Sequence, residues 1–164
     1  MKQLLNLNKI NAKKSLGQNF ITNEVFLNEL EKKIKSYKDT NIIEIGPGKG
    51  ALTKYLINKE FKKLYLIEKD RELSKLLSLA FKDNKKIEII NNDAMSFDYQ
   101  LITGQVLILG NLPFNISTQL LFKWIEYDSW PPFYNKMILM FQKEVADRII
   151  AEFNTSNYGR LSII

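Results

Sequence analysis

The sequence predicts an α/β protein whose parallel sheet is covered by helices on both faces. Five short apolar segments are candidate strands, and segments with the apolar spacing of amphipathic helices separate most of them. Continuous apolar strands that alternate with helices are typical of parallel sheets buried on both sides. The chain has 164 residues, which is enough for one such domain with a sizeable core.

The predicted elements follow from apolar periodicity and from capping residues. Asn23 is a candidate N-cap for a helix that runs to about Ile34 and places Phe26, Leu30 and Ile34 on one face. The predicted strands are 41–46, 63–68, 86–91, 105–110 and 136–142, and the other predicted helices are 51–59, 71–80, 117–126 and 143–152.

Composition excludes several kinds of chemistry. The chain has no Cys and no His, so disulfides, thiolate nucleophiles, His-based triads and His metal ligands are all excluded. No apolar run approaches the length of a membrane span, and the N-terminus lacks the apolar core of a signal peptide. We therefore expect a cytoplasmic protein with no membrane partner and no metal.

The positive charge is concentrated at the N-terminus. The net charge is +6, and the first 23 residues carry four Lys and no acid, since the first acidic residue is Glu24. The remainder is close to neutral, with 20 basic and 18 acidic side chains. A basic arm on a neutral body indicates a polyanionic partner such as RNA, although a solubilising tail explains the charge equally well.

A glycine-rich turn and an acid follow the first two predicted strands. Three of the seven glycines occupy positions 46, 48 and 50, where Gly46 and Gly48 permit a tight turn and a close approach of backbone to a ligand. Glu68 follows the second strand, 22 residues after Gly46, at the spacing that places an acid on ribose hydroxyls in nucleotide-binding folds. Each feature alone fits an ordinary turn or a surface acid, whereas the pair favours a nucleoside site.

Polar segments also follow the third and fourth predicted strands. Asp93, beside Ala94, can accept a hydrogen bond from an adenine amino group, and it is equally suited to cap a turn. Asn111 presents an amide oxygen, Pro113 stiffens the backbone, and Phe114 offers a flat face on which a base can stack. An Asn-x-Pro-aromatic run at the mouth of a nucleotide-binding fold is hard to explain by packing alone.

These segments favour an adenosyl-cofactor methyltransferase over a dinucleotide oxidoreductase. The oxidoreductase fingerprint is G-x-G-x-x-G, in which the third Gly lies three positions after the second. Here the third Gly lies only two positions after Gly48, and an acid, Glu44, precedes the first Gly. The Asn-Leu-Pro-Phe segment also has no role in hydride transfer. A non-catalytic RNA-binding module would fit the basic N-terminus but would leave the ligand loops without a function.

Six segments resemble the KsgA-type ribosomal RNA adenine dimethyltransferases, over essentially the whole chain. The erythromycin-resistance methylases of large-subunit RNA share the fold and several of these motifs, and they are the alternative. Leu112 and the segments 142–145 and 158–161 are more similar to the KsgA type. The six segments are 13–20 (KKSLGQNF), 44–50 (EIGPGKG), 92–95 (NDAM), 110–118 (GNLPFNIST), 142–146 (QKEVA) and 158–162 (YGRLS).

The resemblance implies a Rossmann-like class I methyltransferase sheet with S-adenosylmethionine as the cofactor. It implies two successive methylations of each of two adjacent adenines near the 3′ end of small-subunit ribosomal RNA. The expected partner is that RNA or the immature small ribosomal subunit. The implied cofactor-binding residues are Asn19, Ile21, Gly46, Gly48, Glu68, Asp93, Ala94 and Asn111.

The expected catalytic segment comprises Asn111, Leu112, Pro113 and Phe114. An adenine amino nitrogen is a poor nucleophile because its lone pair is delocalised into the ring. We expect the Asn111 amide oxygen and the Leu112 carbonyl to accept its hydrogens, while Phe114 stacks on the flipped base. Phe114 stands where the family usually has Tyr, and either ring can stack. Catalysis then depends on positioning and electrostatic stabilisation, and no metal is implied.

The resemblance also divides the chain and predicts its edge. Residues 1–22 are expected to form a basic arm over the cofactor site, and residues 23–164 a catalytic domain that is incomplete at its C-terminal end. The family's sheet has seven strands followed by a helical domain, and the segment 160–164 predicts the start of a sixth strand. Met137, Leu139 and Phe141 of the fifth strand should then be poorly covered, so we expect self-association through that edge.

Overall fold

The sheet in the computed structural model has five parallel strands in the order β3-β2-β1-β4-β5. The structure describes residues 12–13, 16–21, 23–34, 37–126 and 131–163. The strands are β1 Tyr37–Ile45, β2 Phe61–Ile67, β3 Ile87–Ile90, β4 Val106–Asn111 and β5 Lys136–Met140. The helices are α1 Glu24–Lys33, α2 Thr53–Leu56, α3 Arg71–Ala80, α4 Ser117–Ile125, α5 Lys143–Ile149 and α6 Arg160–Ile163, with a 3₁₀ turn at Tyr99–Leu101.

Successive residues of the central strands pack into two different cores. In β1, Ile42 packs into a core that includes Leu30 of α1 and Leu77 of α3. Its neighbour Ile43 packs on the other face of the sheet, into a core that includes the fully buried Trp124 of α4. Side chains alternate between the two faces of a strand, so apolar residues at consecutive positions require cover on both sides. The predicted fold class is confirmed.

The strand register brings the carboxyl ends of the central strands level with one another. Ile45 at the end of β1 pairs with Ile67 at the end of β2 and with Gly110 near the end of β4. The chain crosses from β1 to β2 on one side and returns to β4 on the other, so the order of connection reverses between β1 and β4. Parallel α/β sheets bind ligands in the crevice at such a reversal, outside the carboxyl ends of the strands.

Several elements begin or end elsewhere than predicted. Strand β1 begins at Tyr37 rather than 41, β5 ends at Met140 rather than 142, and α5 ends at Ile149 rather than 152. The predicted helix 51–59 is reduced to α2, because the N–H groups of Asn58 and Lys59 donate to the carbonyls three residues before them. Such bonds tighten a helix end into a turn.

Helix α1 has the predicted cap but buries a different face. The Asn23 side-chain oxygen accepts a hydrogen bond from the N–H of Phe26 at 3.1 Å, which confirms the N-cap. The buried apolar residues are Leu27, Leu30 and Ile34, whereas Phe26 is 41% exposed. The prediction for Phe26 is therefore wrong, because residues 27, 30 and 34 form the stripe that faces α2 and the sheet.

The prediction of a sixth strand at 160–164 is also wrong, because this segment forms helix α6. The Ser162 hydroxyl donates to the Arg148 carbonyl of α5 at 2.6 Å and accepts from the N–H of Gly159 at 3.3 Å. The Arg160 guanidinium lies 4.8 Å from the centre of the Phe122 ring and 3.2 Å from a Glu126 carboxylate oxygen. These side-chain contacts anchor a helical turn against α4 and α5. Ile164 lies outside the described residues.

Strand β5 is an edge strand of the sheet within the described part of the chain. Met137, Leu139 and Phe141 are half-buried and pack against the core beneath α4. Self-association through this edge stays a prediction. None of the helices described is both long enough and apolar enough to cross a bilayer.

We predict that Gly110→Ala destabilises the fold, because β4 approaches β1 too closely at this position for a side chain. A Cβ on Gly110 would lie 2.6 Å from the Ile45 carbonyl oxygen, which is backbone and cannot rotate away. The expected loss is about 1–3 kcal/mol of unfolding free energy by chemical denaturation. Gly159→Ala is the control, because no atom lies within 4 Å of its added Cβ. Equal stability of the two variants would contradict the prediction.

Candidate functional site

One pocket lies at the carboxyl edge of the sheet, over the ends of β1, β2 and β4. Residues 16–20, which precede α1, form part of its wall, and we call them the cover segment. Pro113 also lines the pocket. The other lining residues that the sequence singled out are Gly46, Gly48, Glu68, Asp93, Ala94 and Asn111.

The turn after β1 requires glycine at position 48. Its φ angle of 56° lies in the left-handed region, and a Cβ there would sit 3.0 Å from two carbons of the Phe20 ring. The N–H of Gly48 donates to a Glu68 carboxylate oxygen at 3.0 Å. The Gly48 backbone therefore lies directly against the cover segment, and its N–H is hydrogen-bonded to the acid that follows β2.

Glu68 is buried beneath the pocket, with 5% of its surface exposed. One carboxylate oxygen accepts from Gly48, and the other accepts from the N–H of Asp70 at 2.8 Å. Burial raises the pKa of Glu68, although these backbone hydrogen bonds oppose the rise. A carboxylate offers about four acceptor positions, so this one retains acceptor capacity toward a ligand.

Asp93 lines the pocket and also organises its own turn. One carboxylate oxygen accepts from the N–H of Met95 at 2.9 Å, and the other lies 2.7 Å from the Lys69 ammonium. The hydrogen bond to Lys69 is the main reason that the pKa of Asp93 is lowered. The turn cap that the sequence left as an alternative is thus present at a residue that also faces the pocket.

Asn111 connects the end of β4 to the cover segment. Its side-chain amide nitrogen donates to the Asn19 carbonyl at 2.8 Å. Because the nitrogen is committed to the cover segment, the amide oxygen is the atom that remains to accept a hydrogen bond from a ligand. Asn111 therefore holds the wall of the pocket and presents an acceptor beside it.

Three of the residues expected at the site lie beside the pocket instead of in its wall. The Leu112 side chain is 1% exposed and packs into the core beneath α4, so only its backbone could serve the site. Phe114 is half-buried, and its neighbours Asn115 and Ile116 line the pocket. Ile21 borders a smaller adjoining cavity behind the glycine turn.

The cover segment is fastened to the opposite rim of the pocket through Asp70. The Lys13 ammonium lies 2.8 Å from an Asp70 carboxylate oxygen and 3.5 Å from Glu72, and the Gln18 side chain donates to Asp70 at 3.2 Å. Lys13 belongs to the basic arm for which the sequence predicts an RNA partner, and that role stays a prediction. The ion pair with Asp70 gives Lys13 a partner within the chain. Lys14 lies outside the described residues, as do Lys2, Lys9 and most of the predicted arm 1–22.

Sequence reasoning missed Lys69, Asp70 and Gln18. Lys69 and Asp70 follow directly after Glu68 at the carboxyl end of a strand, where ligand sites of parallel sheets lie, and Lys69 lines the pocket. Their position directly after a strand could have indicated that they belong to the site. The pairing of Gln18 and Lys13 with Asp70 spans more than 50 residues, and nothing local in the sequence indicates it.

Glu44 is a second buried acid, directly beneath the glycine turn. It is 2% exposed, and it accepts a hydrogen bond from the Thr53 hydroxyl at 2.8 Å. Burial raises the pKa of Glu44 to about 8, and the nearby Glu68 adds to this rise. Among the described residues, no group of three or more acidic, His or Cys side chains could hold a metal ion.

The fold and the pocket define a class of methyltransferase-like α/β proteins. A dimethyladenosine transferase from Plasmodium falciparum superposes with a TM-score of 0.75 and 28% identity, covering 88% of this chain and 51% of that one. A 23S ribosomal RNA methyltransferase shares the fold with a TM-score of 0.66 and 22% identity, over 87% of this chain and 53% of that one.

The chain belongs to the ribosomal RNA adenine dimethylase family, whose model matches residues 9–164. It is 48% identical to the ribosomal RNA small subunit methyltransferase A of Pelagibacter ubique, over 94% of this chain and 58% of that protein. It is 43% identical to the protein of that name from Ehrlichia chaffeensis, over 96% of this chain and 60% of that protein. The chain thus spans somewhat more than half the length of these relatives.

We predict that Glu44 makes the stability of the fold fall as the pH rises from about 5 to 8. The folded state binds a proton here that the unfolded state, with a pKa of 4.5, has already released, so unfolding is favoured at the higher pH. The free energy of unfolding should fall, relative to Glu44→Gln, by up to about 1.4 kcal/mol per pH unit. Denaturant titrations of both proteins across this range measure the difference. A constant difference would show that Glu44 ionises normally.

Proposed function

We propose that the pocket binds S-adenosylmethionine and that the chain carries the methyl-transfer site of a small-subunit ribosomal RNA adenine dimethyltransferase. One observation carries the proposal: Glu68, Asp93 and Asn111, from three different strand ends, line a single pocket in a chain of this family. Its relatives in Pelagibacter ubique and Ehrlichia chaffeensis are named as small-subunit methyltransferases, which supports that substrate over large-subunit RNA. A cytoplasmic location is part of the same proposal.

The donor groups around the pocket fit an adenosine moiety. The remaining acceptor capacity of Glu68 suits the two adjacent hydroxyls of a ribose, which both donate hydrogen bonds. Asp93 also lines the pocket, and its carboxylate oxygen beside the exposed Lys69 suits an adenine amino group. The bare backbone at Gly46 and Gly48 permits close approach of the rest of the cofactor.

The bound cofactor supplies an electrophilic methyl group on a sulfonium. The Asn111 amide oxygen and the Leu112 carbonyl accept hydrogen bonds from the target amino group and favour a pyramidal nitrogen, whose lone pair is then available for attack. Pro113 restricts the backbone between them and Phe114, and Phe114 stacks on the base. As the new N–C bond forms, the methyl–sulfur bond would break and leave a neutral thioether, S-adenosylhomocysteine, and the amino nitrogen then releases its proton to water. The rate enhancement comes from positioning and electrostatic stabilisation.

We predict that Glu68→Ala weakens binding of S-adenosylmethionine by about 1.5–3 kcal/mol, because it removes the acceptors for both ribose hydroxyls. Isothermal titration calorimetry measures the affinity, and circular dichroism verifies that the variant is folded at the assay temperature. Glu88→Ala is the matched control, because Glu88 is an exposed acid on β3 that pairs with Lys63. Unchanged affinity of Glu68→Ala would remove Glu68 from the site.

We predict that Asn111→Ala lowers the rate of methyl transfer to small-subunit RNA by about 100-fold or more, because its oxygen acts mainly in the transition state. RNA affinity should change little. Asn111→Asp is the matched variant, since it keeps an acceptor oxygen and loses the donor that holds Asn19. The rate of labelled methyl transfer by both variants is measured with naked RNA and with immature small subunits. A near-normal rate for Asn111→Ala would refute the mechanism.

A further inference from the structure

Asp70 lies near the pocket, and it contacts residues on two sides: its side chain contacts Lys13 and Gln18, and its backbone contacts Glu68. Its side chain is 2% exposed, and it begins helix α3, where one oxygen accepts from the N–H of Glu72 at 2.9 Å. The other oxygen faces the cover segment and accepts from Lys13 and Gln18. Its backbone N–H donates to Glu68 at 2.8 Å. Asp70 thus contacts both the cover segment and Glu68.

The cover segment is attached on the opposite side of the pocket as well. Asn111 donates to the Asn19 carbonyl, and the backbone of Gly17 lies directly against the Asn115 side chain. Lys13 is joined to the cover segment through its backbone. The N–H groups of Leu16 and Gln18 donate to the Lys13 carbonyl, and the Lys13 N–H donates to the Gln18 side chain. Residues 16–18, whose backbone is hydrogen-bonded to Lys13, therefore bridge Asp70 on one rim and the Asn111–Asn115 loop on the other.

We propose that Asp70 is a positioning residue, which fastens the cover segment over the pocket through Lys13 and Gln18 while it orients Glu68 beneath. No contact between Asp70 and a ligand is required for this role. The ion pair joins a nearly buried carboxylate to an ammonium that is 44% exposed, so salt and competing anions can reach Lys13. Closure of the pocket therefore depends on ionic strength through Lys13.

The charge state of Asp70 agrees with this geometry. Burial raises the pKa of its carboxyl, but the hydrogen bonds from Lys13, the Glu72 N–H and Gln18 outweigh burial and keep the pKa below its usual value. The carboxylate is therefore charged throughout the neutral range. The hydrogen bond to Asp70 in turn raises the pKa of Lys13, so both partners of the ion pair are charged there.

The decisive variant is Asp70→Asn, which separates this role from the capping of α3. Asn caps a helix as well as Asp does, so its oxygen retains the bond to Glu72, and the backbone bond to Glu68 is unaffected. Its amide nitrogen then faces the cover segment, where Lys13 and Gln18 need an acceptor. Lys13→Gln removes the ionic partner from the other side, and Lys13→Arg restores the charge. Lys63→Gln is the control, because it breaks an exposed ion pair with Glu88 away from the pocket.

Amide hydrogen exchange of the ligand-free protein tests the proposal directly. Exchange across residues 16–20 should accelerate about 5-fold in Asp70→Asn and Lys13→Gln, while Lys13→Arg and Lys63→Gln stay close to the parent protein. High salt should accelerate the parent protein and leave Asp70→Asn unchanged. Unchanged exchange in Asp70→Asn would overturn the proposal. Accelerated exchange throughout β1 and β4 would also overturn it, because Asp70 would then stabilise the whole fold.

Binding of S-adenosylhomocysteine gives the second measurement, and this part rests on the proposed function. Affinity by calorimetry should fall about 5-fold in Asp70→Asn and Lys13→Gln, and it should be retained in Lys13→Arg and Lys63→Gln. If Asp70→Asn and Lys13→Gln bind as tightly as the parent protein, Asp70 does not position the site. If the parent protein itself fails to bind, the proposed function is wrong, while the exchange experiment still decides whether Asp70 fastens the cover segment.

Discussion

The level register of β1, β2 and β4 is the constraint on which the site depends. Residues 46, 68 and 111 come from distant parts of the sequence, and they meet because Ile45 pairs with both Ile67 and Gly110. A shift of one residue in either ladder would turn all side chains of the shifted strand to the opposite face and move the strand ends apart. Gly110 permits this register, since only a residue without a side chain allows β4 to approach the Ile45 backbone so closely.

The same edge of the sheet concentrates buried acidic side chains. Glu44, Glu68 and Asp70 are each less than 6% exposed, although burying a carboxylate is unfavourable without hydrogen-bond donors. The donors are the Thr53 hydroxyl for Glu44, the N–H groups of Gly48 and Asp70 for Glu68, and Lys13 and Gln18 for Asp70. A fold optimised for stability alone would place apolar residues here, so the buried acids fit the proposed ligand-binding role of this edge.

The cover segment makes the pocket a composite of N-terminal residues and strand ends. Asn111 contributes to both, because its nitrogen donates to Asn19 and the residue also lines the pocket. In the proposed mechanism, the hydrogen bond to Asn19 therefore also fixes which atom of the Asn111 amide meets the target base. Closure of the pocket and orientation of the catalytic acceptor are thus coupled through one side chain.

The sequence by itself determined the layered sheet, the glycine turn and the acids after the strands, because these follow from local composition and spacing. Ile42 and Ile43 are apolar at adjacent positions, which requires burial on both faces of the sheet, and Gly48 has a backbone conformation that other residues rarely adopt. Tertiary structure alone decided the partners of Lys13 and Lys69, the helix at 160–163 and the exposure of Phe26. Each of these depends on groups that are distant in the sequence and meet only after the sheet has formed, so no local pattern encodes them.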